Sequence, residues 1–145
     1  MEDARELTEA DHELIEFARG IVDANCDGLV HTVGAAVRDR QGRMCGGINL
    51  FHFAGGPCAE LVALATARAE GLRDLEAIVA VGDGGRGVIG PCGRDRQVLS
   101  DYHPGIRVIV PTPEGMRSVG VALLLPWATS WTPDGGAVDS PRSNE

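Results

Sequence analysis

Residues 33–71 read VGAAVRDRQGRMCGGINLFHFAGGPCAELVALATARAEG, and the patterns in this stretch decide the fold. Two apolar runs, Val33–Val37 and Met44–Leu50, flank Arg38-Asp39-Arg40-Gln41-Gly42. Short apolar runs around a polar, glycine-containing turn predict a β-hairpin. Phe51 to Pro57 is a glycine-rich connection. Cys58–Glu70 then turns rich in Ala and Leu and meets Gly71, which predicts a helix with a glycine stop.

Working outward, the N-terminal stretch predicts an amphipathic helix. Thr8 stands as its cap, acidic residues crowd its first turn, and Leu14, Phe17, Ala18 and Ile21 recur at helical spacing. Asn25 to Gly28 ends it. Downstream, Ala77–Val81 predicts a short strand and 82–87 a glycine-rich loop. Pro91-Cys92-Gly93 opens a further helix that Pro104-Gly105 breaks after about His103. Ile106–Val110 predicts a strand, and Val119–Leu125 is a final apolar segment. The order α-β-β-α-β-α-β indicates a central mixed sheet covered by helices. Residues 1–131 are expected as one domain. Residues 132–145, TPDGGAVDSPRSNE, hold little to bury and are expected as a flexible tail.

Charge and cysteine content narrow the function. The 145 residues carry 13 basic side chains, all Arg, against 21 acidic ones, a formal charge of −8. That balance argues against a partner bound through its phosphates, so no nucleic-acid polymer is expected. No apolar run approaches the roughly 18 residues of a membrane span, so no membrane partner is expected. The acidic N-terminus differs from a secretory signal, and a cytoplasmic location is expected. Four dispersed cysteines in such a setting point to packing, metal binding or catalysis rather than disulfides. Cys26 and Cys45 lack a partner motif and are read as core residues. The glycines at 82, 84, 85 and 87 lack the Lys-Ser/Thr and the helix start of a phosphate loop.

Cys58 and Cys92 differ, because each falls at the start of a predicted helix. Unpaired N–H groups and the helix dipole favour an anion there and lower a thiol pKa. Cys92 and Asp95, three residues apart, share one side of a helical turn, and Cys58 offers a third donor. Three protein donors with a fourth position for water is the pattern of catalytic zinc. Glu60, two residues beyond Cys58, is placed to reach such a water without binding the metal. Arg94 and Arg96, beside Cys92, are candidate hydrogen-bond donors to the thiolates. His52 and His103 are read as structural.

The collinear segments Val33-Gly34-Ala35-Ala36, Gly47-Ile48-Asn49, Phe51–Glu60, Pro91–Leu99 and Asp101–Ile106 resemble the cytidine deaminase superfamily, and within it the blasticidin-S deaminases. The resemblance covers residues 8–131. It implies a three-layer α/β/α fold with a central mixed five-stranded sheet, and a homotetramer with one zinc per subunit and active sites completed by neighbouring chains. It implies Cys58 and Cys92 as zinc ligands, with Asp95 where the family has a third cysteine. It implies Glu60 as proton shuttle. Asn49, His31, Phe51, Ala59, Pro91 and Trp131 match positions around the substrate. Phe51 stands where cytidine deaminases carry an acidic residue that holds the sugar. The expected function is zinc-dependent hydrolytic deamination of the cytosine ring of a small nucleoside or an aminoacyl-nucleoside antibiotic. A cytidine or deoxycytidine deaminase, or a metal-poor nucleoside-binding homologue, is the alternative.

Overall fold

The structure is a computed structural model that describes residues 3–138. The elements, in chain order, are β1 (Ala4–Arg5), α1 (Glu9–Asn25), β2 (Val33–Asp39), β3 (Met44–Ile48), α2 (Ala59–Ala69), β4 (Leu75–Gly82) and β5 (Gly87–Ile89). They continue with α3 (Gly93–Tyr102), β6 (Arg107–Thr112), β7 (Gly115–Gly120), α4 (Val121–Leu124), β8 (Ser130–Thr132) and β9 (Gly136–Val138).

The sheet runs β1-β7-β6-β4-β2-β3, with β5 also paired to β4. β4 is antiparallel to β2 and parallel to β6, so the sheet is mixed, with α3 in the parallel crossover. It has seven strands, which corrects the expected five. Four of the long strands, β2, β3, β4 and β6, fall on the anticipated runs, whereas β7 lies ahead of the final apolar segment, most of which forms α4. The two additions, β1 and β5, are two and three residues long and gain their identity from pairing with β7 and β4.

Side-chain alternation along the strands builds two cores, and so three layers. Ala36 of β2, Ala77, Val79 and Val81 of β4 and Ile109 of β6 face Leu14, Ile15, Ala18 and Val22 of α1. Ala35 and Val37, Ile78 and Ala80, and Val108 and Val110 face the other way. They pack with Ala59, Ala63 and Ala67 of α2 and Leu99 of α3. β4 is apolar on both faces, as a central strand covered on both sides must be. The N-terminus of α1 closes with a capping box: Asp11 N–H donates to Thr8 Oγ1 (3.2 Å) and Thr8 N–H donates to Asp11 Oδ2 (3.0 Å). Arg38 donates to the same Asp11 (3.0 Å) and to Glu76 (2.7 Å), tying α1 to the sheet.

Cys45 is buried as expected, but Cys26 is exposed at the C-cap of α1, because the helix ends one residue too early to turn it inward. The segment expected as a tail begins in the β8–β9 ribbon, and residues 139–145 lie outside the described residues. Among the described residues no helix is long and apolar enough to cross a membrane.

Candidate active site

Two helix starts meet over one edge of the fold. Cys58 is the N-cap of α2 and Cys92 the N-cap of α3, both in extended backbone conformation. Their sulfurs lie 3.6 Å apart. Asp95, in the first turn of α3, is 1% exposed, and one donor atom from each of Cys58, Cys92 and Asp95 lies within 4.8 Å of the others.

These residues fit a divalent metal on two observations. Asp95 Oδ2 accepts the Cys92 N–H at 3.4 Å, while Oδ1 is buried with no hydrogen-bond partner. A buried polar atom without a partner is rare and calls for an explanation. The donor set is two thiols and a carboxylate, all anionic as ligands, as zinc sites use. Burial pushes the Cys58 thiol up to about 11; Arg94 pulls it down, and the Asp95 and Cys92 charges add to the rise. The helix-start lowering expected from the sequence is therefore outweighed at Cys58 by burial and its anionic neighbours.

Glu60 sits in the first turn of α2 and is 6% exposed. Burial, with the Asp95 carboxyl beside it, pushes its pKa up to about 8. Glu60 and the three donors line one pocket of about 230 Å³ with Val33, Asn49, Leu50, Phe51, Ala59, Ile89 and Gly90. The loop 51–57 reaches it because Gly56 passes against the Leu50 carbonyl, where any Cβ would clash. Leu50 N–H donates to the Pro57 carbonyl (3.1 Å) and Phe51 N–H to the Val30 carbonyl (3.0 Å), which hold the loop beside Cys58.

The other expected residues divide. Ala59 lines the pocket. Asn49 also lines it, but most of its amide is used locally: Oδ1 accepts from Thr32 N (2.7 Å) and Val33 N (3.0 Å), and Nδ2 donates to Thr32 Oγ1 (3.3 Å). His31 contacts the Asn49 carbonyl through Nδ1 (2.7 Å) and is not a lining residue. Phe51 lines the mouth with its ring 67% exposed. Pro91 is buried, and its carbonyl accepts from Arg96 Nε (2.9 Å). Trp131 packs edge-on against Tyr102 at 6.3 Å, at the far end of α3 from Cys92.

The two arginines also part ways. Arg94 donates to Cys58 Sγ (3.4 Å) and to the Gly56 carbonyl (3.0 Å). Arg96 clasps the carbonyls of Pro91 and Leu124 (3.2 Å) instead, which corrects its expected role as a thiolate donor.

Sequence reasoning missed two residues that brace loops leading to the pocket without lining it. Asp27 Oδ1 accepts the N–H groups of Leu29, Val30 and His31 at 2.8–2.9 Å, shaping the loop that carries His31, and these bonds hold its carboxyl at about 2. The Asp-Gly pair at 27–28 was a usable turn signal. Arg86 pairs with Asp83 (2.8 Å) and donates to the Thr32 carbonyl (2.7 Å), pinning the β4–β5 turn to that loop. β5 then delivers Ile89 and Gly90 to the pocket.

No family model matches the sequence. The chain is 31% identical over 113 residues to the blasticidin-S deaminase of Bacillus cereus, covering 72% of this chain and 81% of that one. It is 38% identical over 100 residues to a cytidine deaminase of Halalkalibacterium halodurans, covering 66% and 75%. The crystal structure of cytidine deaminase from Burkholderia pseudomallei superposes with a TM-score of 0.66 at 32% identity, over 84% of this chain and 99% of that one. The chain thus belongs to the cytidine deaminase superfamily and is an enzyme of that class, a hydrolase acting on carbon–nitrogen bonds.

Proposed function

We propose that the enzyme deaminates the cytosine ring of a nucleoside or aminoacyl-nucleoside antibiotic of the blasticidin-S type, releasing ammonia and leaving a uracil ring. The observation that carries this is the buried Glu60 in the same small pocket as Cys58, Cys92 and Asp95. Those three residues would hold zinc, and when bound it would supply the Lewis acidity that activates water for attack at C4 of the ring. Glu60 takes a proton from the attacking water and delivers it to ring N3, then carries the remaining hydroxyl proton to the amine, which leaves as ammonia while the ring oxygen becomes the uracil carbonyl. Arg94 orients Cys58 and offsets the negative charge of the donor set. Val33, Leu50 and Ile89 give the ring an apolar enclosure, and Asn49 lines the same pocket.

Phe51 favours the antibiotic: it puts an aromatic ring where cytidine deaminases carry a sugar-holding carboxylate, and the Bacillus cereus relative is a blasticidin-S deaminase. Cytidine is the second reading, favoured by the 38% identity to a cytidine deaminase. We also propose a cytoplasmic homotetramer. Four cysteines without a disulfide support a reducing compartment, and the exposed Phe51, Phe53 and Trp131 support burial against neighbouring subunits.

Ammonia release from blasticidin S and from cytidine, measured in parallel on zinc-loaded protein, tests the reading. The expected result is a kcat/KM for blasticidin S at least about tenfold the higher. The reverse order selects the cytidine reading, and release from neither substrate overturns both.

A further inference from the structure

We propose that Asp95 makes the centre a two-thiolate, one-carboxylate site whose preference is shifted from zinc toward harder divalent ions, Co²⁺ and Fe²⁺, relative to a three-thiolate site. This rests on the reading above that Cys58, Cys92 and Asp95 hold the metal.

The case starts from the two oxygens of one side chain. Oδ2 accepts the Cys92 N–H and is accounted for as a helix cap. Capping does not account for Oδ1, which is sealed from solvent and has the Glu60 carboxyl, another acid, beside its carboxyl group. An Asn at this third helical position could accept the same Cys92 N–H without burying a charge, so the cap by itself does not require a carboxylate that is 1% exposed. The Cys58 and Cys92 sulfurs lie 3.6 Å apart, and the three donors group within 4.8 Å. A cation among them would give the buried Asp95 carboxyl the positive charge that its acidic neighbour Glu60 cannot supply.

Geometry allows oxygen in the third position. A carboxylate oxygen stands one bond farther from the backbone than a thiol sulfur. The metal–oxygen bond, about 2.0–2.2 Å, is shorter than the metal–sulfur bond of about 2.3 Å. The two differences oppose each other, so α3 need not move. Electronic character does change. Thiolates select soft and borderline ions and carboxylates hard ones, so one oxygen in place of one sulfur weakens zinc more than cobalt or iron.

Metal-stripped full-length protein and its Asp95→Cys and Asp95→Asn variants, titrated with Zn²⁺ and Co²⁺ against a chromophoric chelator, provide the test. The sulfur-to-cobalt absorption band counts thiolates. The unmodified protein should show about two-thirds of the Asp95→Cys intensity, and the same intensity as Asp95→Asn at saturation. Zinc should bind the unmodified protein roughly 10–100-fold more weakly than Asp95→Cys, with the cobalt-to-zinc affinity ratio about tenfold higher. Asp95→Asn keeps a cap on the Cys92 N–H and should lose affinity for both ions. Equal affinities in the unmodified protein and Asp95→Asn would overturn the proposal while leaving the deaminase reading in place. Absence of metal binding in both the unmodified protein and Asp95→Cys would overturn the deaminase reading itself.

Discussion

Alanine at Gly47 tests how the sheet supports the site. Gly47 lies in β3 facing α2, and a Cβ there would stand 2.5 Å from Val62 Cγ1, 2.9 Å from Val62 Cβ and 3.0 Å from the Ala63 backbone nitrogen. Carbon atoms in good contact stand about 3.5–4.0 Å apart. A new Val62 rotamer would relieve only the first clash, so α2 must retreat by roughly 0.5–1 Å. Overpacking of this kind costs about 1–3 kcal/mol. For a chain of this length that is a fall in Tm of roughly 3–12 °C. Because α2 is capped by Cys58 and carries Glu60 in its first turn, the retreat also misplaces the proposed proton-transfer group, and a displacement of about 1 Å can cost roughly 100-fold in rate. Gly20→Ala is the internal control. Gly20 lies inside α1 with nothing within 4 Å of its would-be Cβ, so alanine gains about 0.5–1 kcal/mol of helix propensity. Thermal and urea unfolding of both variants, with kcat for each, gives the comparison. A Gly47→Ala protein as stable and as active as its parent would refute the close-approach reasoning.

Glu60→Gln should keep its metal content, measured by mass spectrometry, and lose roughly 10²–10⁴ in kcat as proton transfer is removed. Arg94→Ala should weaken zinc binding about 10–100-fold, because Cys58 loses its donor. Arg96→Gln should leave zinc binding unchanged and instead lower the unfolding free energy by about 1–2 kcal/mol, since the Pro91 and Leu124 carbonyls lose their donor. At the N-terminus, the hydrogen bond from Arg107 holds the Asp3 carboxyl below its ordinary 3.8. A native value below the unfolded one contributes stability that is complete above pH 3.8 and is lost as pH falls through the native value. Asp3→Asn should therefore flatten the acid limb of the stability profile, measured by urea midpoints across that range.

What was legible in the sequence had its cause nearby in the chain. Thr8 and Asp11 cap α1 through neighbouring atoms, and the hairpin of β2 and β3 closes over five residues, so both could be read locally. The helix starts at Cys58 and Cys92 were legible for the same reason. β1 and β5 were not, since two and three residues carry no period and become strands only through distant partners. β7 hid because Gly-Met-Arg-Ser-Val-Gly mixes polar and apolar residues at its exposed end. The error at Arg96 was avoidable. Residues two apart on a helix point about 200° from each other, so Arg94 and Arg96 could not both turn to the thiolates of one cluster.

The pocket divides chemically along the same line. Its only described acids are Glu60 and Asp95, both buried at the floor beside the half-buried Cys58 and the exposed Cys92. The residues proposed to act on a ring amine thus all come from the starts of α2 and α3, elements anchored by Ala59, Ala63 and Leu99 in the core. The outer wall is different in kind. Asn49 spends its amide on holding Thr32 and Val33, Phe51 presents a largely exposed ring, and Trp131 stands at the other end of α3. An Asn used mainly as a loop brace, with an aromatic two residues on, leaves little in this one chain to grip a sugar hydroxyl. The chemistry of the floor and the selectivity of the mouth are therefore separable. The mouth has freedom to vary its substrate while the floor keeps the same reaction.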